Sequence, residues 1–253
     1  MNVDYRIEDS IAVVTIDRPH CRNAVDGDTA RELDARFVEF ENDDELRVAV
    51  LTGVGGTFCA GADLKAVAAG EDVRVRLNMG DTGPMGPTRR TLGKPVIAAV
   101  EGFAVAGGLE LACWCDLRVA ARDAVFGVHC RRVGVPLVDG GTVRLPRLIG
   151  QSHAMDLILT GREVSADEAA GMGLVNRRCD PGRALETALG LAAEIAAHPQ
   201  TCLRGDRLSS LQQWSLDEQA ALANELRYGR ATIESGEPEA GAIAFARGNN
   251  PQQ

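Results

Sequence analysis

Between Lys94 and Asp116 the chain reads K-P-V-I-A-A-V-E-G-F-A-V-A-G-G-L-E-L-A-C-W-C-D, an order of residue types that admits few backbones. Pro95 opens a run of small and β-branched residues, Val96 to Val100, with the composition of a buried strand. Gly102, Gly107 and Gly108 mark a loop where the backbone turns tightly or something approaches it closely. From Leu109 the residues become helix-like, with Leu111, Ala112 and Cys113 apolar. A strand, a glycine turn and a helix start present backbone N–H groups at one point, and the helix dipole adds partial positive charge there. Glu110 falls one turn inside this helix. An acid in that place either caps the turn or performs proton chemistry.

A second stretch repeats the pattern. Val48 to Leu51 is apolar and feeds T-G-V-G-G-T-F-C-A-G-A-D-L-K, Thr52 to Lys65, with Asp63 near a helix N-terminus. Other motifs follow in order: C-D-L-R-V-A (Cys115 to Ala120), the glycine-led run Gly140 to Gly150, and Leu159 to Ala169. Together they resemble the crotonase superfamily, the enoyl-CoA hydratase/isomerase family, over about Ile11 to Arg178. The resemblance implies an α/β, crotonase-like fold of repeated ββα units with a C-terminal helical region. Residues 1–197 are expected to form the core with an acyl-CoA site, and 198–253 a helical oligomerisation region with a boundary near Ala197-His198-Pro199. Homotrimers, or hexamers built as dimers of trimers, are the implied assembly.

Composition narrows the function classes. A net charge of −9 over 253 residues, with no basic face carrying interleaved aromatics, argues against nucleic-acid binding. No apolar run reaches membrane-spanning length, and the N-terminus lacks the apolar core of a signal peptide. Seven cysteines without a C-x-x-C pair, and four scattered histidines, fit reduced thiols in the cytoplasm better than disulfides or a metal site. No Walker A loop, Rossmann fingerprint or nucleophile elbow is present.

Taken along the chain, Val3–Ile7 and Ile11–Ile16 are expected to form a hairpin, followed by a helix over about Asp28 to Asn42. Ala66 to Leu77 is expected to continue as helix, and the Gly/Pro-rich Asn78 to Arg90 as a mobile loop. Strands are expected at Leu117–Ala121, Val125–Phe126 and Leu174–Val175, with a helix at Gln151–Leu159. Ser165 and Ser215 each open a capping-box pattern. Helices are expected over Ala184–Ala197, Leu203–Trp214 and Ser215–Ile233, with a frayed terminus over Gly248 to Gln253.

By resemblance, the backbone N–H groups of Ala62 and Gly107 form an oxyanion hole for a thioester carbonyl. Loss of one such donor typically costs about 3–4 kcal/mol of transition-state stabilisation. Ala60, Asp63, Leu64 and Gly108 are expected to line the substrate, while Arg22 and Ala24 match positions that contact coenzyme A. Hydratases of the family use two glutamates. Glu110 matches the first; the second lies in F-G-x-P-E, which here is Phe126-Gly127-Val128-His129-Cys130, so Cys130 stands in its place. A thiol is a poor substitute for a carboxyl group. Asp139 is a candidate replacement, since some members carry a working aspartate there. Otherwise it caps the helix after Gly140-Gly141 or pairs with Arg131, Arg132 or Arg144. Adjacent residues of an extended segment face opposite ways, which makes His129 a pocket-lining residue rather than a partner of Cys130. The implied activity is reversible hydration of a 2-enoyl-CoA. Double-bond isomerisation, other acyl-CoA lyase or hydrolase chemistry, and acyl-CoA binding without turnover are the alternatives. The only partner implied is the acyl-CoA thioester, and coenzyme A enters as part of it rather than as a separate cofactor.

Overall fold

The computed structural model describes residues 1–70, 77, 80 and 82–248. Most of the helix expected beyond Ala68, the start of the Gly/Pro-rich loop and all but Gly248 of the terminus expected to fray lie outside the described residues.

The chain begins with β1 (Val3–Glu8) and β2 (Ile11–Ile16), the expected antiparallel hairpin. Helix α1 (Gly27–Asn42) follows, its first turn capped by the Asp26 carboxylate accepting from the Thr29 N–H. Next come β3 (Val48–Gly53) and α2 (Leu64–Ala68), then β4 (Val96–Val100), β5 (Phe103–Val105) and α3 (Gly107–Trp114). The unit β6 (Leu117–Ala121), β7 (Val125–Gly127), α4 (Gly141–Ile149) and α5 (Gln151–Thr160) repeats that order. After β8 (Glu163–Ser165), α6 (Ala166–Gly171) and β9 (Arg177–Cys179) the described chain is helical: α7 (Ala184–Ala196), α8 (Gln200–Gln212), α9 (Glu218–Glu234) and α10 (Glu237–Ala246).

Two sheets form. The larger has the order β1-β2-β3-β4-β6-β9 and is parallel from β2 onward. Its side chains divide with the period of two that a strand imposes. Ala49, Leu51, Ala98 and Val100 face the main core, while Val48, Val50, Ile97 and Ala99 face α7. Helix α7 answers with Ala184, Ala188, Ala192 and Ala196, a stripe of small residues that lets the helix lie close on the sheet.

The smaller sheet, β5-β7-β8, positions the site. Cys59 bridges Ala104 of β5, with its N–H donating to Phe103 O and its carbonyl accepting from the Val105 N–H. Ala62 in turn bridges Val25. The segment after β3 is thereby laid beside β5 as a further strand-like layer. Sequence patterning did not foresee β5 or β8, because a three-residue strand is too short to show alternation.

Three further expectations change. The strand expected at Leu174–Val175 lies at Arg177–Cys179; Leu174 and Val175 instead close the end of α6, both donating to Ala169 O. Their burial mimics a strand signal. The cap of α9 is Asp217, which accepts from the Ala220 N–H, while Ser215 sits in a preceding 3₁₀ turn. At α6, Ser165 does cap Glu168 N–H, but the Glu168 carboxylate turns to Arg162 instead of closing the box.

Helix α3 reaches the second layer only because Gly108 has no side chain. A Cβ at that position would stand 2.0 Å from Cys59 O. Gly108→Ala is therefore expected to destabilise the fold by about 3 kcal/mol, the upper range for overpacking. Gly190→Ala, on the exposed face of α7 with nothing within 4 Å, should stabilise it by about 1 kcal/mol. Urea denaturation of both variants measures the contrast, and equal effects would contradict this packing.

Candidate active site

The two glycine-containing loops meet. A Cβ on Gly61 would lie 2.8 Å from the Gly107 nitrogen and 2.9 Å from Ala106 Cβ, so the loops are in van der Waals contact. Ala106 holds a positive φ of 53° with ψ −124°, a backbone state an L-residue adopts only when its surroundings enforce it. Its N–H is anchored on Gly127 O at 2.9 Å. This twist sets the direction of the peptide whose N–H belongs to Gly107. Ala62 and Gly107 line one cavity of about 470 Å³, and Ala60, Leu64, Glu110, Cys130 and Asp139 line it too.

Glu110 lies in the first turn of α3 and is 2 % exposed. Its Oε1 accepts from the Asp139 N–H at 2.9 Å and the Gly141 N–H at 2.8 Å. Burial, and then the negative charge of Asp139, push its pKa up to about 7; the N–H groups of Gly141, Asp139 and Val138 partly offset them. Near neutral pH the group is populated both as acid and as base, the condition for moving protons in either direction. Gly141 is glycine for this contact, since a Cβ there would sit 2.9 Å from Glu110 Oε1.

Asp139 lines the same cavity, but its carboxylate has work elsewhere. Oδ1 accepts from the Met85 N–H at 2.9 Å and from the Thr88 hydroxyl. Arg144 donates to the backbone carbonyls of Asp139, at 2.9 Å, and Thr88, at 2.6 Å. Arg131 and Arg132 reach the carbonyls of Ile158 and Gly161. Asp139 and Arg144 thus bind the Thr82–Arg90 segment to the start of α4. The described part of the loop expected to be mobile is pinned, with Met85, Pro87 and Thr88 buried. Met85 then packs its sulfur against Gly107, where a Cβ would be 2.7 Å away.

Cys130 and His129 lie on a 3₁₀ turn, His129–Val133, not on an extended segment, because Gly134 closes the turn in the left-handed region. Burial and the Glu110 charge push the Cys130 thiol up, so it stays protonated at neutral pH. His129 lines the cavity, with Nε2 3.6 Å from Glu163; burial and then Arg132 hold its pKa down. All seven cysteines are free thiols.

The remaining expected residues sit beside the cavity. Asp63 caps α2, accepting from Lys65 and Ala66 N–H groups, and pairs with Arg18 at 3.1 Å. Arg18 also donates to Ala24 O and pairs with Asp26 at 2.8 Å. Arg22 has φ 54° and its carbonyl accepts from the Ala60 N–H. Arg22, Ala24 and Asp63 therefore shape the loops around Ala60–Ala62, while Gly108 admits α3 to them. Sequence reading missed the holders: Arg18, Met85, Thr88 and Arg118. Fully buried Arg118 donates to the carbonyls of Ala112, Cys115, Asp116 and Leu174, fixing the far end of α3. No hydrophobic period or motif marks such residues, since what matters is a polar contact made by the folded chain, such as Arg18 with Asp63 or Met85 and Thr88 with Asp139.

Stacked ββα units with two glycine loops in contact beside a buried acid define a crotonase-fold enzyme. The family model described as "Enoyl-CoA hydratase/isomerase" matches residues 6–252. The chain belongs to the enoyl-CoA hydratase/isomerase family. It is 38 % identical to the short-chain-enoyl-CoA hydratase of Clostridium acetobutylicum, over 88 % of this chain and 86 % of that protein. It is 34 % identical to the carnitinyl-CoA dehydratase of Salmonella arizonae, over 96 % and 94 %. The crystal structure of enoyl-CoA hydratase EchA1 from Mycobacterium marinum superposes with a TM-score of 0.91 at 39 % identity, covering 97 % of this chain and 96 % of that one.

Three outcomes are expected. Asp139→Ala leaves the buried Met85 N–H and Thr88 hydroxyl without their acceptor and should cost about 3 kcal/mol, whereas Asp139→Asn keeps an acceptor oxygen and should cost under about 1 kcal/mol. Asp139→Asn also removes a negative charge, so the Glu110 pKa should fall, as read from carboxyl infrared titration. The raised Glu110 pKa also gives a stability profile of definite sign. The fold favours the protonated carboxyl, so its contribution is full below about pH 4.5 and is lost as pH rises through about 7. Relative to Glu110→Gln, the wild type should lose up to about 3 kcal/mol across that window in urea titrations. A flat difference would show that Glu110 is not perturbed.

Proposed function

We propose that this enzyme catalyses the reversible addition of water to the 2,3 double bond of an enoyl-CoA thioester. The observation that carries the proposal is Glu110, a buried acid poised between its two protonation states beside the contacting Ala62 and Gly107 loops. The N–H groups of Ala62 and Gly107 bind the carbonyl oxygen, and the negative charge that develops there is stabilised by the start of α3. With Cys130 in place of a second glutamate, Glu110 serves both steps. Its ionised form takes a proton from water as the hydroxyl oxygen bonds to C3. The same proton then passes to C2, and the carboxylate is restored. Asp139 raises the basicity of Glu110 and holds the Met85 wall rather than relaying a proton.

The aliphatic wall of Leu64, Val67, Met85, Val133 and Val135 suits an apolar acyl group and a place in fatty-acid metabolism. The names of the Clostridium and Salmonella relatives both describe chemistry that adds or removes water on a coenzyme A thioester. A single working carboxylate also favours a second reading, double-bond isomerisation, in which Glu110 carries a proton from one carbon to another. Coenzyme A arrives within the substrate, and the mechanism uses no other cofactor. Among the described residues no helix is long and apolar enough to cross a membrane. The free thiols fit the cytoplasm. Exposed Leu222, Leu226, Ile233 and Phe245 on α9 and α10 suit burial against neighbouring copies in a trimer or hexamer.

Glu110→Gln should lower turnover of crotonyl-CoA by about 10²–10⁴-fold while acyl-CoA binding is kept. Mass spectrometry separates the readings. Gain of one water marks hydration, and unchanged mass with altered absorbance marks isomerisation. Full activity in Glu110→Gln would overturn both. Sedimentation should give a trimer or hexamer, and a stable monomer at micromolar concentration would contradict that assembly.

A further inference from the structure

Cys130 is the largest departure of this site from the two-glutamate pattern, and its surroundings give the thiol a chemical use. It lines the cavity that holds Glu110, and its sulfur lies within the electrostatic reach of that carboxylate. Glu110 is 2 % exposed, and its Oε1 accepts from the Asp139 and Gly141 N–H groups. The same carboxyl group lines the cavity together with Cys130, so it can exchange a proton with whatever enters beside the thiol. A thiol is a weak hydrogen-bonding group, so position 130 does not hold water as a carboxylate would. Sulfur is, however, a strong nucleophile toward an electron-poor double bond once a base takes its proton.

We infer that Cys130 adds to C3 of the bound enoyl thioester in place of water, forming a covalent thioether between the protein and the acyl-CoA. The inference rests on the reading that an enoyl-CoA occupies this cavity. With the carbonyl oxygen at Ala62 and Gly107 and the acyl chain along Val133 and Val135, C2 and C3 lie between Glu110 and Cys130. The step balances without an added reagent. The S–H bond breaks and its proton goes to the Glu110 carboxylate. The S–C3 bond forms as the C2–C3 π electrons move toward the carbonyl, and Glu110 returns the proton to C2. The reverse sequence releases the enoyl thioester, so the adduct is a reversible store of substrate competing with hydration. Burial keeps the thiol protonated, which makes the base beside it necessary and the addition faster as Glu110 ionises.

The test incubates the full protein with crotonyl-CoA, quenches with acid and measures intact mass, followed by peptide mapping. The expected result is a gain of one crotonyl-CoA per chain, located on the peptide carrying Cys130. It should be absent in Cys130→Ala and form about 10²-fold more slowly in Glu110→Gln, the loss typical of a missing general base. Mapping on the wild type decides the matter even where the alanine variant fails to fold. No adduct, an adduct on Cys21, Cys179 or Cys202, or a rate unchanged in Glu110→Gln would overturn the inference. The free thioester in the same samples reports on hydration separately. Adduct without water gain refutes the hydratase reading alone, water gain without adduct refutes the thiol addition alone, and neither product refutes both.

Discussion

The close approach of two backbone segments governs this molecule. Gly108 lets α3 start against Cys59 O, and Gly61 lets the neighbouring loop reach the Gly107 nitrogen. A methyl group at either glycine would push the segments apart. The consequences run outward. The Phe58–Ala62 segment becomes part of the second sheet through Cys59 and Ala104, and Val25 pairs with Ala62 on its other side. Arg18 and Asp63 then lock the loop ends, and Arg118 fixes the opposite end of α3. The strained Ala106 persists because all of these contacts are made around it.

That scaffold decides the electrostatics. Glu110 is carried into the core by α3, where burial alone would keep it neutral. Three backbone N–H groups draw it back toward ionisation, and the charge of Asp139 opposes them. The balance leaves a carboxyl group near neutrality, a value that neither the free amino acid nor a simply buried one would have. Asp139 and Arg144 contribute by geometry as well, since they hold the Met85 wall against Gly107. An aspartate that resembles a second acid in sequence is thus also a bracket for the wall of the pocket.

What could be read from the chain follows from the range of each signal. The buried strands Val96–Val100 and Leu117–Ala121, the glycine turns and Glu110 announce themselves through neighbouring residues, and the structure places them as expected. The three-residue strands Phe103–Val105 and Glu163–Ser165 carry no period and form by pairing with β7 and, for the first, with Cys59 as well. Leu174 and Val175 show the opposite error: apolar residues that are buried without being a strand. The grip of Asp139 on Met85 and Thr88 spans more than fifty residues of chain and has no local mark. The motifs pointed to residues that line one cavity, while their partners emerged only in three dimensions.

The central claim is that the Ala62 and Gly107 N–H groups converge on one substrate oxygen beside Glu110. A crystal structure with an unreactive saturated acyl-CoA in the cavity tests it directly. The account predicts the thioester oxygen at about 2.7–3.1 Å from both nitrogens, with C2 and C3 between Glu110 and Cys130. A thioester oxygen bound to only one of the two nitrogens, or an acyl chain that turns away from Glu110, would contradict it.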